Sequence, residues 1–124
     1  EAGVLNFGKF NNYGYRGLYN GETANDIKKR KGIENNEDIL DFMGSTELAT
    51  NLFRITQTDE VLKNKKIKDE QDACNTHHDV GQAVRQTIKR IGGTMPEDLP
   101  TPKKSAKILE EEKNKKKLNN NIKN

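Results

Sequence analysis

The chain has 124 residues, of which 31% are hydrophobic and 33% charged, with no Trp and a single Cys. That length suits one domain, or one domain with a tail, and so lean an apolar content allows only a small, elongated core. No run approaches the roughly 18 apolar residues of a membrane span, one cysteine cannot form an internal disulfide and fits a reducing cytoplasm, and the lack of an initial Met or of a charged-then-apolar leader reads Glu1 as an internal cut in a longer protein.

The net charge of +3 hides an asymmetry. From Lys103 to Asn124, eight Lys against three Glu give +5, which leaves −2 for the other 102 residues. The basic character therefore belongs to the tail, and nucleic-acid binding by the body cannot be argued from its isoelectric point.

Residues 1–21 interleave Phe7, Phe10, Tyr13, Tyr15 and Tyr19 with Gly8, Gly14, Gly17 and Gly21. Glycines at that density predict a loop pinned by its own aromatics and covering one end of a helical body. Aromatics beside Arg16 also offer the stacking chemistry of single-stranded nucleic-acid sites. Thr23-x-x-Asp26 opens a short helix as a weak capping-box analogue, and Gly32 ends it; Lys28, Lys29, Arg30 and Lys31 crowd its C-terminus, where cations complement the helix dipole. Asn36 is expected to cap a second short helix that carries Ile39, Leu40, Phe42 and Met43 and stops at Gly44.

Ser45 then caps a long helix. Leu48, Leu52, Ile55, Asp59 and Leu62 step by four and three, with Ala49 and Phe53 widening the stripe; Asp59 interrupts it, so a kink or restart is expected at Thr58. A basic connector over 63–68 leads to Asp69, which caps a second long helix ending at Ile91. Its seam is Ala73, His77, Val80, Val84, Thr87 and Ile91. Two seams joined by a short polar connector predict an antiparallel hairpin of long helices. Ala73, His77 and Thr87 are weak glue, so the first 44 residues or a second copy of the chain must complete the core, and self-association is expected. Gly92 and Gly93 supply a left-handed cap, and Pro96, Pro100 and Pro102 hold the exit extended. The body is thus assigned to 1–102 and a basic tail, helical or disordered, to 103–124, with a helix from about Lys103 to Lys117 that frays over its Asn-rich end.

Cys74, His77 and His78, with Asp79, form the single enzyme-like cluster. Cys74 shares a helix face with each His, but a zinc ion needs two further ligands and the chain has no other Cys or His. A nucleophilic Cys–His pair would need an oxyanion hole and a cleft that nothing announces. Gly14-Tyr15-Arg16-Gly17 lacks the strand–loop–helix context and Lys-Ser/Thr ending of a phosphate loop. No catalytic residue, metal or cofactor is assigned, and the chain reads as non-enzymatic. Arg54, Arg85, Lys89 and Arg90 lie on the two long helices; they fit a solvated face, or a strip that contacts phosphates or pairs with carboxylates.

Several runs are more specific than these short motifs: Gly14-Tyr15-Arg16-Gly17-Leu18-Tyr19, Met43 to Ala49, Asn51 to Thr58, Asn75 to Gly81, and the Gly92 to Pro102 exit. Over about residues 6–110 they make the chain resemble the C-terminal half of the bacterial DNA-damage-inducible protein D family. The resemblance implies a cytoplasmic protein of the SOS response that restrains the RecA recombinase by disassembling or blocking its filaments on single-stranded DNA. The family's usual N-terminal part resembles the Bro-N domain of phage antirepressors and is missing here. No catalytic motif carries over. The inferred contact residues, for a partner protein or nucleic acid, are Arg16, Tyr19, Arg54, Arg85, Lys89 and Arg90. Two other readings stand beside this one: an oligomerisation module of a phage antirepressor-like transcription regulator, and single-stranded DNA binding through the basic tail.

Overall fold

A computed structural model describes residues 3–103 and 111–118. Its elements in chain order are α1 (Phe7–Leu18), α2 (Ala24–Lys31), a 3-10 turn (Ile39–Phe42), α3 (Ser45–Asn64), α4 (Glu70–Ile91) and a second 3-10 turn (Pro96–Asp98). Residues 111–118 are helical and exposed. The described residues are all-helical, as expected, and none of their helices is long and apolar enough to cross a membrane.

The aromatic and glycine-rich start is a helix rather than a loop. Asn6 caps α1 by accepting from the Lys9 backbone N–H at 3.0 Å. Each glycine inside a helix costs about 1 kcal/mol relative to Ala, which is why the sequence argues against one here. The tertiary structure overrides that cost. Gly17 and Gly14 press α1 onto Gly81 of α4 so closely that the two backbones meet: a Cβ built on Gly81 would lie 2.8 Å from the Gly14 carbonyl oxygen and 2.9 Å from the Leu18 nitrogen. The α1–α4 contact is accordingly the most extensive in the molecule, ahead of the α3–α4 packing that the seams predict.

The cap signals elsewhere are sound. Thr23 and Asp26 make both bonds of a full capping box, and Gly32 ends α2 in the left-handed region. Asp69 caps α4 by accepting from the Asp72 backbone N–H, and Gly92 ends it at φ 83°. Two boundaries shift. Asp38, not Asn36, caps the turn before Met43, and Gly44 rather than Ser45 is the N-cap of α3, with no side-chain cap bond. α3 runs unbroken from Ser45 to Asn64, so the interruption expected at Thr58 is absent.

The core sits at one end. Tyr15, Leu18 and Tyr19 pack with Ile27, Ile39 and Met43, flanked by Ala24, Leu40, Leu48 and Val84. The expected seams fill it only in part. On α4, Ala73 and His77 are buried together with Cys74 and Gly81, but Thr87 is exposed and Ile91 is 74% exposed. On α3 the expected stripe is split: Leu62 is buried and Leu48 flanks the core, but Leu52, Phe53 and Ile55 are exposed, and the polar Glu47, Asn51, Arg54 and Thr58 are buried instead. The rest of the expected tail, over 104–110 and 119–124, lies outside the described residues.

Candidate functional site

The polar face of α3 is buried because partners from every neighbouring element meet it. Lys31, at the end of α2, donates to Glu47 Oε1 at 2.7 Å, to the Phe42 carbonyl at 3.3 Å and to the Thr101 hydroxyl at 3.1 Å, so its three N–H groups are all used. The other Glu47 oxygen accepts from the Tyr19 hydroxyl at 2.5 Å, which in turn accepts from Asn51 Nδ2 at 2.9 Å. Asn51 Oδ1 accepts from Arg54 Nη2 at 3.0 Å. Arg54 Nη1 meets His77 Nε2 at 2.5 Å, its guanidinium carbon lies 4.7 Å from the centre of the Tyr15 ring, and His77 Nδ1 donates to the Phe10 carbonyl at 2.9 Å. This continuous polar spine joins α2, α3, α1 and α4 and holds the exit at Thr101.

The spine settles where two of the six inferred contact residues lie. Arg54 and Tyr19 are each 1% exposed, so neither offers a surface to a partner; this corrects the sequence-based assignment. Arg54 is inside because Tyr15, Asn51 and His77 replace part of the water its guanidinium would otherwise bind; Nε is left without a hydrogen-bond partner, and burial lowers the pKa. Tyr19 is held protonated, its pKa raised first by burial and then by the Glu47 carboxylate it donates to.

His77 is a neutral spine member, not a ligand. With Nδ1–H committed to a carbonyl, Nε2 presents its lone pair to Arg54, and burial followed by the Arg54 charge lowers its pKa to about 4. A histidine whose folded pKa lies below its unfolded value of about 6.5 takes up its proton more readily when unfolded, so stability falls as pH drops through that window. The expected loss reaches about 3 kcal/mol by pH 4. Urea midpoints measured between pH 7 and 5, above the carboxylate range, should therefore decline in the wild type and stay flat in His77→Gln. Cys74 packs beside it, fully buried, and burial pushes its thiol up, which makes it a poor nucleophile. No group of three or more His, Cys, Asp or Glu able to hold a metal occurs among the described residues.

The remaining four inferred residues divide. Arg85 is committed inside the molecule. It donates to both Glu97 oxygens at 2.8 Å and to the Leu18 carbonyl at 3.1 Å, clamping the proline-rich exit and the end of α1 to α4. The paired charges raise the Arg85 pKa and lower that of Glu97. Arg85→Ala should cost about 1–2 kcal/mol of stability, seen as a lower melting temperature, and Glu97→Gln should cost less because one oxygen still accepts. Arg30 supports the same exit by donating to the Glu97 carbonyl at 3.3 Å while pairing with Glu22.

Arg16 and Lys89 are exposed and come together, although 73 positions separate them. They line one groove along the α1–α4 seam with Asn20, His78, Gln82 and Gln86, a space of about 440 Å³ with the clamping Arg85 in its wall. A second, confluent hollow of about 510 Å³ shares Arg16 and His78 and adds Tyr13, Asn75 and Asp79. Arg16 sits 5.9 Å from the centre of the Tyr13 ring. Gln71 ties the far end by donating to the Tyr13 hydroxyl at 3.4 Å and to Asn75 Oδ1 at 2.9 Å. Arg90 is exposed but does not line this strip.

The surface of the strip is polar and carries more positive than negative side chains. It offers two exposed cations, an aromatic ring and a row of amide donors and acceptors, the groups that hold phosphates, carboxylates or an unpaired base. His78 has Asp79 at 3.7 Å. Three side chains of the basic cluster at the end of α2 are already engaged: Lys28 by the Asn35 carbonyl, Arg30 by Glu22 and Lys31 by Glu47.

The family model described as the DinD C-terminal domain matches residues 1–109. The chain belongs to that family. It is 56% identical over 113 residues to the DNA damage-inducible protein D of Escherichia coli (strain K12), an alignment that covers 89% of this chain and 41% of that relative. The DinD C-terminal domain thus spans less than half the length of the curated relative it matches. No solved structure matches the chain. The family match runs past Pro102, to residue 109.

Proposed function

We propose that this domain is the non-enzymatic interaction half of a DNA-damage-response protein, and that it contacts the RecA recombinase or its filament on single-stranded DNA through the α1–α4 strip. The damage-response context rests on family membership and on the name of the relative, DNA damage-inducible protein D. The observation that favours the strip is the meeting of Arg16 and Lys89 in one groove, while Arg30, Lys31, Arg54 and Arg85 are engaged by partners within the body. The strip's chemistry suits an anionic partner surface, either carboxylates of a protein or phosphates of bound DNA.

The test is fluorescence anisotropy of labelled single-stranded DNA, bare or carrying preformed RecA filament, titrated with the domain at two salt concentrations. The expected result is a RecA-dependent change that Arg16→Ala with Lys89→Ala weakens about tenfold, a loss typical of two charged contacts. A double variant that acts like the wild type would remove the strip from the proposal. A second reading is favoured by the exposed helix over 111–118, which carries Lys113, Lys115, Lys116 and Lys117. In that case bare DNA binds, and deletion of residues 103–124 abolishes binding along with its salt dependence.

A further inference from the structure

α3 is turned the opposite way from an ordinary amphipathic helix. Its inner face is Glu47, Asn51, Arg54 and Thr58, with Leu62 as the one apolar member, while Leu52, Phe53 and Ile55 are 45%, 55% and 38% exposed. A helix of a globular protein normally buries its apolar stripe and shows its polar one to water. Beside Phe53 an apolar groove of about 530 Å³ runs between α3 and α4, walled by Val61, Val80, Ala83, Val84 and Ile88 among others, and no residue lining it is charged.

We propose that this face seats a second copy of the chain, in a two-fold dimer whose axis crosses α3 between Leu52 and Phe53. Three features select that occupant. A two-fold contact must offer knob and hole on the same patch, and here the exposed Phe53 borders the groove that can receive its counterpart, with the exposed Leu52 beside it on α3. Helical spacing places Ala49, Leu52, Phe53 and Thr56 together on the outer side of α3, an uncharged run whose midpoint is the proposed axis. An antiparallel α3–α3 crossing there sets Ala49 against the partner's Thr56, so no like charges meet at the axis. The same register brings Glu60 to the partner's Ser45, the first residue of its α3, where the positive end of the helix dipole favours a carboxylate. A strongly acidic or basic peptide would find no counter-charge in the groove. The groove and the α1–α4 strip use different sides of α4, so the dimer leaves the strip open, and the inference stands apart from the RecA reading.

The experiment is sedimentation velocity of the 124-residue chain over a concentration series to about 200 μM, with far-UV circular dichroism as the check on folding. The expected result is a reversible dimer. Phe53→Asp and, independently, Thr56→Arg, which sets two like charges beside the axis, should each raise its dissociation constant at least about 100-fold with helicity unchanged. Both positions are exposed, and Thr56→Arg disturbs no buried group, so it reports even if Phe53→Asp folds poorly. A wild-type chain that stays monomeric throughout, or a dimer that tolerates Thr56→Arg, would overturn the proposal.

Discussion

Gly17→Ala is expected to destabilise the domain by at least about 3 kcal/mol, whereas Gly8→Ala in the same helix should be neutral or stabilise it by up to about 1 kcal/mol. The two glycines share a helix and a helix-propensity cost, so the difference isolates tertiary packing. A Cβ on Gly17 would collide with the His78 carbonyl oxygen and lie 3.0 Å from its carbonyl carbon and 3.2 Å from the Gln82 nitrogen. All three are backbone atoms of α4 and cannot rotate away, so the helices must separate and the α1–α4 contact is lost along much of its length. A Cβ on Gly8 meets nothing closer than the Asn6 side chain at 3.5 Å, an ordinary contact. Urea unfolding of the two variants at pH 7 checks both values. Equal effects would mean that α1 and α4 do not approach as described. Because Arg16 is on α1 and Lys89 on α4, partial separation in Gly17→Ala should also weaken whatever binds the strip.

The second large effect is expected in the polar spine. Lys31→Met should cost about 3–5 kcal/mol, because it leaves the Glu47 carboxylate as an uncompensated buried charge. The side chains of both partners are essentially inaccessible, 0% for Lys31 and 1% for Glu47, so water cannot take the place of the lost ammonium. Adding Glu47→Gln removes that charge while leaving an oxygen to accept from Tyr19, and the double variant should recover about 1–2 kcal/mol relative to Lys31→Met alone. The four proteins form a double-mutant cycle read by urea unfolding, and strict additivity would contradict a coupled pair. Lys31 also donates to Thr101, so the loss should release the exit segment and raise its protease sensitivity.

The elements with explicit caps were legible in the sequence. Thr23 with Asp26, Gly32, Asp69 and Gly92 carry their signal in local hydrogen bonds and backbone conformation, which need no distant partner. Of the candidate strip, Lys89 was legible as a cation of a solvated face and Arg16 as a cation among aromatics. Tyr13, Asn75, His78, Gln82 and Gln86 were not assigned to it, because only the crossing of α1 on α4 brings them to one seam. A spacing signal was present: His78, Gln82, Gln86 and Lys89 step by four, four and three along α4, a polar stripe beside the apolar seam.

The sequence by itself determined that the chain is helical, where most helices stop, and that its apolar content is too small for both long helices to be covered on every side. Only the tertiary structure decided that residues 7–18 form a helix and which side of α3 faces inward. The reason is the same in both cases. Local propensity counts three glycines against α1, but the backbone approach they permit depends on Gly81, more than 60 residues away. On α3 the polar set Glu47, Asn51, Arg54 and Thr58 repeats with the same helical period as the apolar set, so periodicity cannot rank the two faces. Tyr15, Tyr19, Lys31 and His77 rank them, by supplying charge and hydrogen bonds that make the polar side the better one to bury.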